Sequence, residues 1–232
     1  MRTAAILPVK RFTRAKQRLS ASVSDPLRLE LARAMVLDVL LALAQTESIE
    51  RTLVVTAESS IAAAARQQGA IVIDDDHEHG QPAAAALGVR RALAEGIERV
   101  LCVPGDCPTL DPAELNELLR ADRDLGARRE ARVVVVPDRH GSGTNGLLLS
   151  PPDAIPPSFG PDSCERHLAL ALAAGVAARV ERVPSLLLDI DTGADLDALR
   201  TRLAGRPARA SNTRAVLGQP ERPSIIPMTT PA

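Results

Sequence analysis

Five segments of the chain gather carboxylates, cations or exposed amides where strands should end. The first, Leu7-Pro-Val-Lys10-Arg11-Phe12-Thr-Arg14-Ala-Lys16-Gln-Arg18-Leu-Ser20, puts five cations into nine residues. Lys10 and Lys16 are the only lysines among 28 basic residues, and a compact ammonium at two nearby points suits a polyphosphate. The run has no glycine, so it is not a Walker loop. In the second segment, Val103-Pro-Gly105-Asp106-Cys107-Pro-Thr-Leu110, two prolines and a glycine present one carboxylate directly after an apolar strand. Mg²⁺ prefers such hard oxygen ligands together with substrate phosphates. Asp111 stands ready to cap the helix that Pro112 starts, which leaves Asp106 without a structural task.

The third segment is Leu188-Asp189-Ile190-Asp191-Thr192-Gly193. Alternation places Asp189 and Asp191 on one side of an extended run, where two carboxylates suit a cation. Asp191 or Thr192 reads equally well as the cap of the last helix. The fourth, Asp138 to Gly146, is a glycine-rich turn whose amides suit an anion. The fifth, Ser158-Phe159-Gly160-Pro161-Asp162-Ser163, opens a helix, so amides and dipole favour a phosphate or carboxylate. An ordinary N-cap by Asp162 or Ser163 explains it as well. The acidic run Asp74 to His79 reads as a solvated loop, and Cys107 and Cys164 read as small packing residues. There is no G-x-S-x-G and no H-E-x-x-H.

Positioning these loops requires a sheet. Apolar strands at Ala4–Val9, Thr52–Thr56, Ala70–Ile73 and Val100–Val103 alternate with helices at Pro26–Gln45, Ser59–Gln68 and Pro82–Glu95. A helix from Pro112 to Ala121 leads to strands at Val133–Val136 and Gly146–Leu149. A helix at Ser163–Ala174, strands near Val180 and at Leu186–Ile190, and a helix at Ala194–Leu203 complete the set. Repeated βα units with nearly all-apolar strands predict a three-layer α/β fold. Its sheet is mostly parallel, mixed at one end, and covered by helices on both faces. Ligands in such sheets bind at the carboxyl ends of the strands, where the five segments lie. The pattern stops near Gly205. Residues 1–204 thus read as one domain and 205–232, with five prolines in 28 residues, as an irregular tail.

Composition excludes several classes. The 232 residues contain no Trp, no Tyr and two Phe, with 28 basic against 29 acidic side chains. Too few rings exist to stack bases, and no net positive field exists to hold nucleic acid or an anionic membrane. Three cysteines without a C-x-x-C fit neither a disulfide framework nor a zinc site. No run is long enough for a signal peptide or a membrane span, so a cytoplasmic protein is expected. A scaffold or nucleotide-sensing domain without catalysis has little use for two acidic strand ends facing a lysine loop.

Taken together, the segments resemble the nucleotidyltransferase superfamily with a Rossmann-like (GT-A-like) fold. Within it they are similar to the 2-phospho-L-lactate or phosphoenolpyruvate guanylyltransferases of deazaflavin coenzyme (F-420) biosynthesis. The matching pieces are Leu7-Pro-Val-Lys10 with Ala15-Lys16-Gln-Arg18-Leu-Ser20, Gly105-Asp-Cys-Pro-Thr-Leu110, Gly143-Thr144-Asn, Phe159-Gly-Pro-Asp-Ser163 and Asp189-Ile-Asp-Thr192. Gly-Asp-x-Pro marks only the superfamily, whereas Phe-Gly-Pro-Asp-Ser is more specific. The resemblance implies Mg²⁺ on Asp106 and Asp189, with Asp191 as a third ligand. It implies GTP on Lys10, Lys16, Arg18, Gly80 and Gly105, and a phosphorylated three-carbon acid on Thr144, Gly160 and Ser163. Asp106, Asp189 and Lys16 would carry the chemistry, and a homodimer is compatible. Relatives carry Leu-Asn-x-Ala before the third helix, near the nucleotide. Here Gly80-Gln-Pro82-Ala-Ala84 stands there, a departure that bears on base selectivity rather than on reaction type. Nucleotidyltransferases of molybdopterin, or cytidylyl- and uridylyltransferases, are the neighbouring alternatives.

Overall fold

A computed structural model describes residues 1–14, 16–125, 130–205 and 209–218. Seven strands form one sheet: β1 (Thr3–Val9), β2 (Arg51–Thr56), β3 (Ile71–Asp74), β4 (Arg99–Cys102), β5 (Arg132–Pro137), β6 (Thr144–Ser150) and β7 (Ala177–Val180). Seven α-helices accompany them: α1 (Asp25–Ala44), α2 (Ser59–Gln67), α3 (Gln81–Ala94), α4 (Pro112–Leu125), α5 (Ser163–Ala173), α6 (Gly193–Ala204) and α7 (Ser211–Leu217).

Strand alternation divides the core in two. Ala5, Leu7, Val54, Leu101, Val134 and Leu148 face α1, α2 and α4, while Ala4, Ile6, Leu53, Val100, Val133 and Leu147 face α3 and α5. Both faces being buried is why these strands read as unbroken apolar runs. A third core lies outside α1, where Leu31 and Met35 meet Leu188, Ile190, Leu196 and Leu199. It explains why α1 is apolar around its whole circumference: the sheet takes one side and α6 with α7 the other.

The strand order is β3-β2-β1-β4-β6-β5-β7. β1 pairs in parallel with β2 and β4, and β2 with β3. β6 runs antiparallel to both of its neighbours, and β5 pairs in parallel with β7. The chain walks outward from β1 to β3 and then returns to the far side of β1 with β4. The order therefore reverses between β1 and β4, and a crevice opens above their carboxyl ends. Because β6 is reversed, its first residues sit at that same end. Cys102 pairs with Leu147, so Thr144 lies just beyond β4, beside Gly105.

Two expectations are corrected. Leu186–Ile190 is not a strand: Pro184–Leu186 forms a 3-10 turn and the chain is irregular to Thr192. Its apolar residues are still buried, Leu186 under the sheet and Leu188 and Ile190 against α1. A short apolar run does not by itself distinguish a strand from a buried irregular segment. The chain beyond Gly205 also contains structure, since α7 docks on α1. The buried Asp38 carboxylate accepts hydrogen bonds from Asn212 N (3.0 Å), Asn212 Nδ2 (2.8 Å) and Thr213 N (2.8 Å). It thereby satisfies the first amides of a seven-residue helix, a tertiary cap invisible to local patterning. The tail reading for 206–208 and 219–232 lies outside the described residues. Among the described residues no helix is long and apolar enough to cross a membrane.

Candidate active site

All five segments converge on one cavity of about 590 Å³ above the β1/β4 crevice. Lys10, Lys16, Arg18, Gly80, Gly105, Asp106, Thr144, Gly160, Ser163, Asp189 and Asp191 all line it. Every site residue singled out from the sequence is therefore brought into a single ligand-sized space.

The β1 loop reaches the cavity through two short 3-10 turns, Phe12–Arg14 and Gln17–Ala21. Two acidic side chains anchor its backbone: Glu78 accepts from Arg11 N (2.8 Å) and Glu58 from Phe12 N (3.3 Å). Lys16 itself adopts a left-handed conformation, φ 55°, which turns its side chain inward. Its ammonium donates to Asp106 Oδ2 and, at 2.6 Å, to Asp191 Oδ1. Burial alone would lower the Lys16 value, but the two carboxylates outweigh it and hold the ammonium protonated. For Asp191 burial again opposes ionisation, yet Lys16, with help from Arg18 and Lys10, pulls its carboxyl below the usual range.

Gly105 precedes Asp106 because nothing larger fits: a Cβ there would meet Val36 Cγ2 at 2.8 Å. Ile190 N donates to Asp106 O at 3.1 Å, so the irregular 187–192 segment is held to the β4 loop rather than to a strand. Asn145 Nδ2, buried at the start of β6, donates to Leu186 O (2.8 Å) and to Asp189 Oδ1 (3.1 Å). Burial and the facing Asp106 carboxylate raise the Asp189 value. Thr192 and Asp195 form a reciprocal capping box on α6. The cap reading thus falls to Thr192 and frees Asp191 for the cavity.

These carboxylates fit a divalent cation. Asp106 Oδ1 is buried without a hydrogen-bond partner, and it shares the cavity with Asp189 and Asp191. Among the described residues no three His, Cys, Asp or Glu side chains converge as a ready metal cage. The Lys16 ammonium already bridges two of the carboxylates. An Mg²⁺ site completed by substrate phosphates needs only one or two protein carboxylates.

On the β6 side, Gly160 takes φ +126°, a conformation that favours glycine. Asp162, at the N-cap of α5, makes no side-chain capping bond, so the ordinary cap reading fails there. The loop is held instead by two residues the sequence reading passed over. Arg166 donates to Ser158 O (3.1 Å) and Pro161 O (2.6 Å). His167 is fully buried; its Nε2 accepts from Ser158 N at 2.9 Å. Nδ1 therefore carries the proton, and it lies 3.1 Å from Thr144 Oγ1. Burial, aided by the Arg166 charge, drives the His167 value down to about 4, so the ring is neutral near pH 7.

Other expectations resolve by burial. Cys107 is buried, and burial with Asp106 and Asp189 nearby pushes its thiol well up; it packs, as does Cys164. Phe12 and Phe159 are core residues that also line the cavity. The acidic run after β3 is not merely solvated: Asp75 is buried and, with Glu78, forms part of the cavity wall.

Similarity to known proteins agrees with this geometry. Residues 3–213 match the family model described as guanylyl transferase CofC like. The chain is 50% identical over 219 residues to a phosphoenolpyruvate guanylyltransferase of Conexibacter woesei, covering 94% of this chain and 96% of that one. It is 33% identical over 209 residues to a 2-phospho-L-lactate guanylyltransferase of Methanothermobacter thermautotrophicus, covering 90% and 89%. Among solved structures, a Desulfovibrio desulfuricans G20 protein provisionally described as a nucleotide-diphospho-sugar transferase superposes with TM-score 0.73 at 18% identity, covering 94% of each chain. CMP:2-keto-3-deoxy-manno-octonic acid synthetase in complex with CTP superposes with TM-score 0.58 at 15% identity, covering 88% and 99%. At such identities the structural matches speak for the fold alone.

Proposed function

Since the chain belongs to the CofC-like guanylyl transferase family, we propose that it moves GMP from GTP to the phosphate of a small three-carbon acid. Pyrophosphate is released, and the acceptor is phosphoenolpyruvate, 2-phospho-L-lactate or 3-phosphoglycerate. Relatives carrying the first two names match over most of their length, and deazaflavin coenzyme biosynthesis is the pathway this reading fits. The observation that carries it is the single cavity in which a lysine loop, three carboxylates and an amide-rich helix start face one another.

The reaction needs no protein nucleophile. The acceptor phosphate is largely ionised at neutral pH, its second pKa being about 6. One of its oxygens attacks the α-phosphorus of GTP, forming a P–O–P bond as the bond to pyrophosphate breaks. The obstacle is bringing two polyanions together, so catalysis here consists of positioning and charge relief. Thr144, Gly160 and Ser163 would hold the acid, with His167 fixing the Thr144 hydroxyl and the Ser158 amide. Lys10 and Arg18 would take the triphosphate at the cavity mouth. Lys16, on binding, would turn from Asp106 and Asp191 towards the phosphates. Asp106 and Asp189, with Asp191 beside them, would hold Mg²⁺, which neutralises charge developing at the α-phosphate and the leaving pyrophosphate.

Mass spectrometry of the products from GTP and the three acids in competition tests this reading and identifies the acceptor. Asp106→Asn should abolish pyrophosphate release while the circular dichroism spectrum stays unchanged. Retained turnover would sink the metal assignment.

A further inference from the structure

The chemistry above leaves one end of the cavity unused. On that reading the sheet order orders the ligands: the acid would sit at β6, and the phosphates at β1 and β4. The base of the nucleotide is thereby directed over β2 and β3, where the segment after β3 closes the cavity. That wall consists of Asp75, Glu78, Gly80 and Gln81. Glu78 is committed, because Oε1 accepts from Arg11 N at 2.8 Å and Oε2 from the Arg11 guanidinium at 3.1 Å. Asp75 is not committed. It is only 8% exposed, it lines the cavity, and its carboxylate has no hydrogen-bond or ion-pair partner among the described residues. Its oxygens are not sealed in the protein but open to the cavity, where they are free to accept from an arriving donor.

We propose that Asp75 is the residue that reads guanine. Its two carboxylate oxygens accept the N1–H and the 2-amino group, the two adjacent donors on the base's Watson–Crick edge. Adenine offers a lone pair at N1 and no 2-amino group, so the same carboxylate repels it. Hypoxanthine keeps N1–H but loses the second donor, and xanthine replaces it with a carbonyl. Asparagine, by turning one acceptor into a donor, would suit xanthine better than guanine. This assignment rests on the reading of GTP as the donor nucleotide, and it supplies the base selectivity that Pro82 does not.

The test compares kcat/KM for GTP, ITP and XTP in the wild-type protein and in Asp75→Asn. Phosphoenolpyruvate serves as acceptor, pyrophosphate release is recorded, and thermal unfolding is followed in parallel. The wild type should prefer GTP to ITP about tenfold or more, as a bidentate pair to a base edge provides. Asp75→Asn should bring the GTP-to-ITP ratio close to one and raise XTP relative to GTP. An unchanged GTP-to-ITP ratio in a folded variant overturns the assignment of Asp75 alone. A wild type that turns over with GTP and ITP equally well overturns it too. A wild type that releases no pyrophosphate from GTP overturns the donor assignment itself. Should Asp75→Asn not fold, Asp75→Ser is put to the same ratio test.

Discussion

His167 makes the β6 side of the cavity sensitive to pH through stability. Its folded value of about 4 lies below the ordinary 6.5 because the ring is buried and next to Arg166. The unfolded chain therefore takes up a proton that the folded protein refuses. The contribution is fully present above pH 6.5 and is lost as pH falls towards 4. Between pH 7.5 and 5 the linkage amounts to on the order of 2 kcal/mol, or roughly 4–8 °C in melting temperature for a domain of this size. Carboxylates also titrate in that range, so the comparison must be with a variant lacking the imidazole. His167→Leu leaves the Ser158 amide and the Thr144 hydroxyl without their partner. That loss costs roughly 2–4 kcal/mol at pH 7.5. Urea unfolding of both proteins at the two pH values should show this gap shrinking by about 2 kcal/mol at pH 5. A gap that stays constant would refute a neutral, buried His167. In turnover at pH 7.5, the variant should raise KM for the acid far more than KM for GTP.

Two further outcomes follow from the ion pairs. Lys16→Met leaves Asp106 and Asp191 facing each other without their shared cation. Because Asp191 is half exposed, the loss should be only about 1–2 kcal/mol, below that of a fully buried pair. Added Mg²⁺ should then raise the melting temperature of Lys16→Met more than that of the wild type; equal shifts would show that the ammonium does not stand where the divalent cation binds. Asp38→Ala removes three hydrogen bonds from the start of α7 and should cost about 2–3 kcal/mol in urea unfolding. It should also expose the bond after Leu203 or Arg209 to limited proteolysis, and an unchanged digestion pattern would mean α7 is held by its apolar face alone.

Much of the site is legible in the sequence because its parts are local. Gly105-Asp106, Lys10 with Lys16, and Gly160 to Ser163 are short segments at strand ends, and a βα pattern places strand ends on one side of a sheet. The run Leu186–Ile190 misleads because its alternation is real while its backbone partners are not strands. Ile190 bonds to the Asp106 carbonyl and Asn145 to the Leu186 carbonyl. His167 escapes notice, and Asn145 and Asp75 are seen without their roles, for a related reason. A lone histidine, asparagine or aspartate acquires meaning only from what folds against it, and each of these takes its role from a cavity built by distant segments.

Apolar periodicity and strand-end chemistry thus determine the layers, the mostly parallel sheet and which charged residues line the cavity. Those depend on interactions within roughly twenty residues of chain. The reversal of strand order between β1 and β4, and the reversed β6 that brings Thr144 beside Gly105, are decided only in three dimensions. So are the Lys16 bridge, the neutral His167 and the unpaired Asp75 carboxylate. Their physical basis is desolvation and pairing between separate elements, as far apart in sequence as Lys16 and Asp191, and these are set only once the chain has closed on itself.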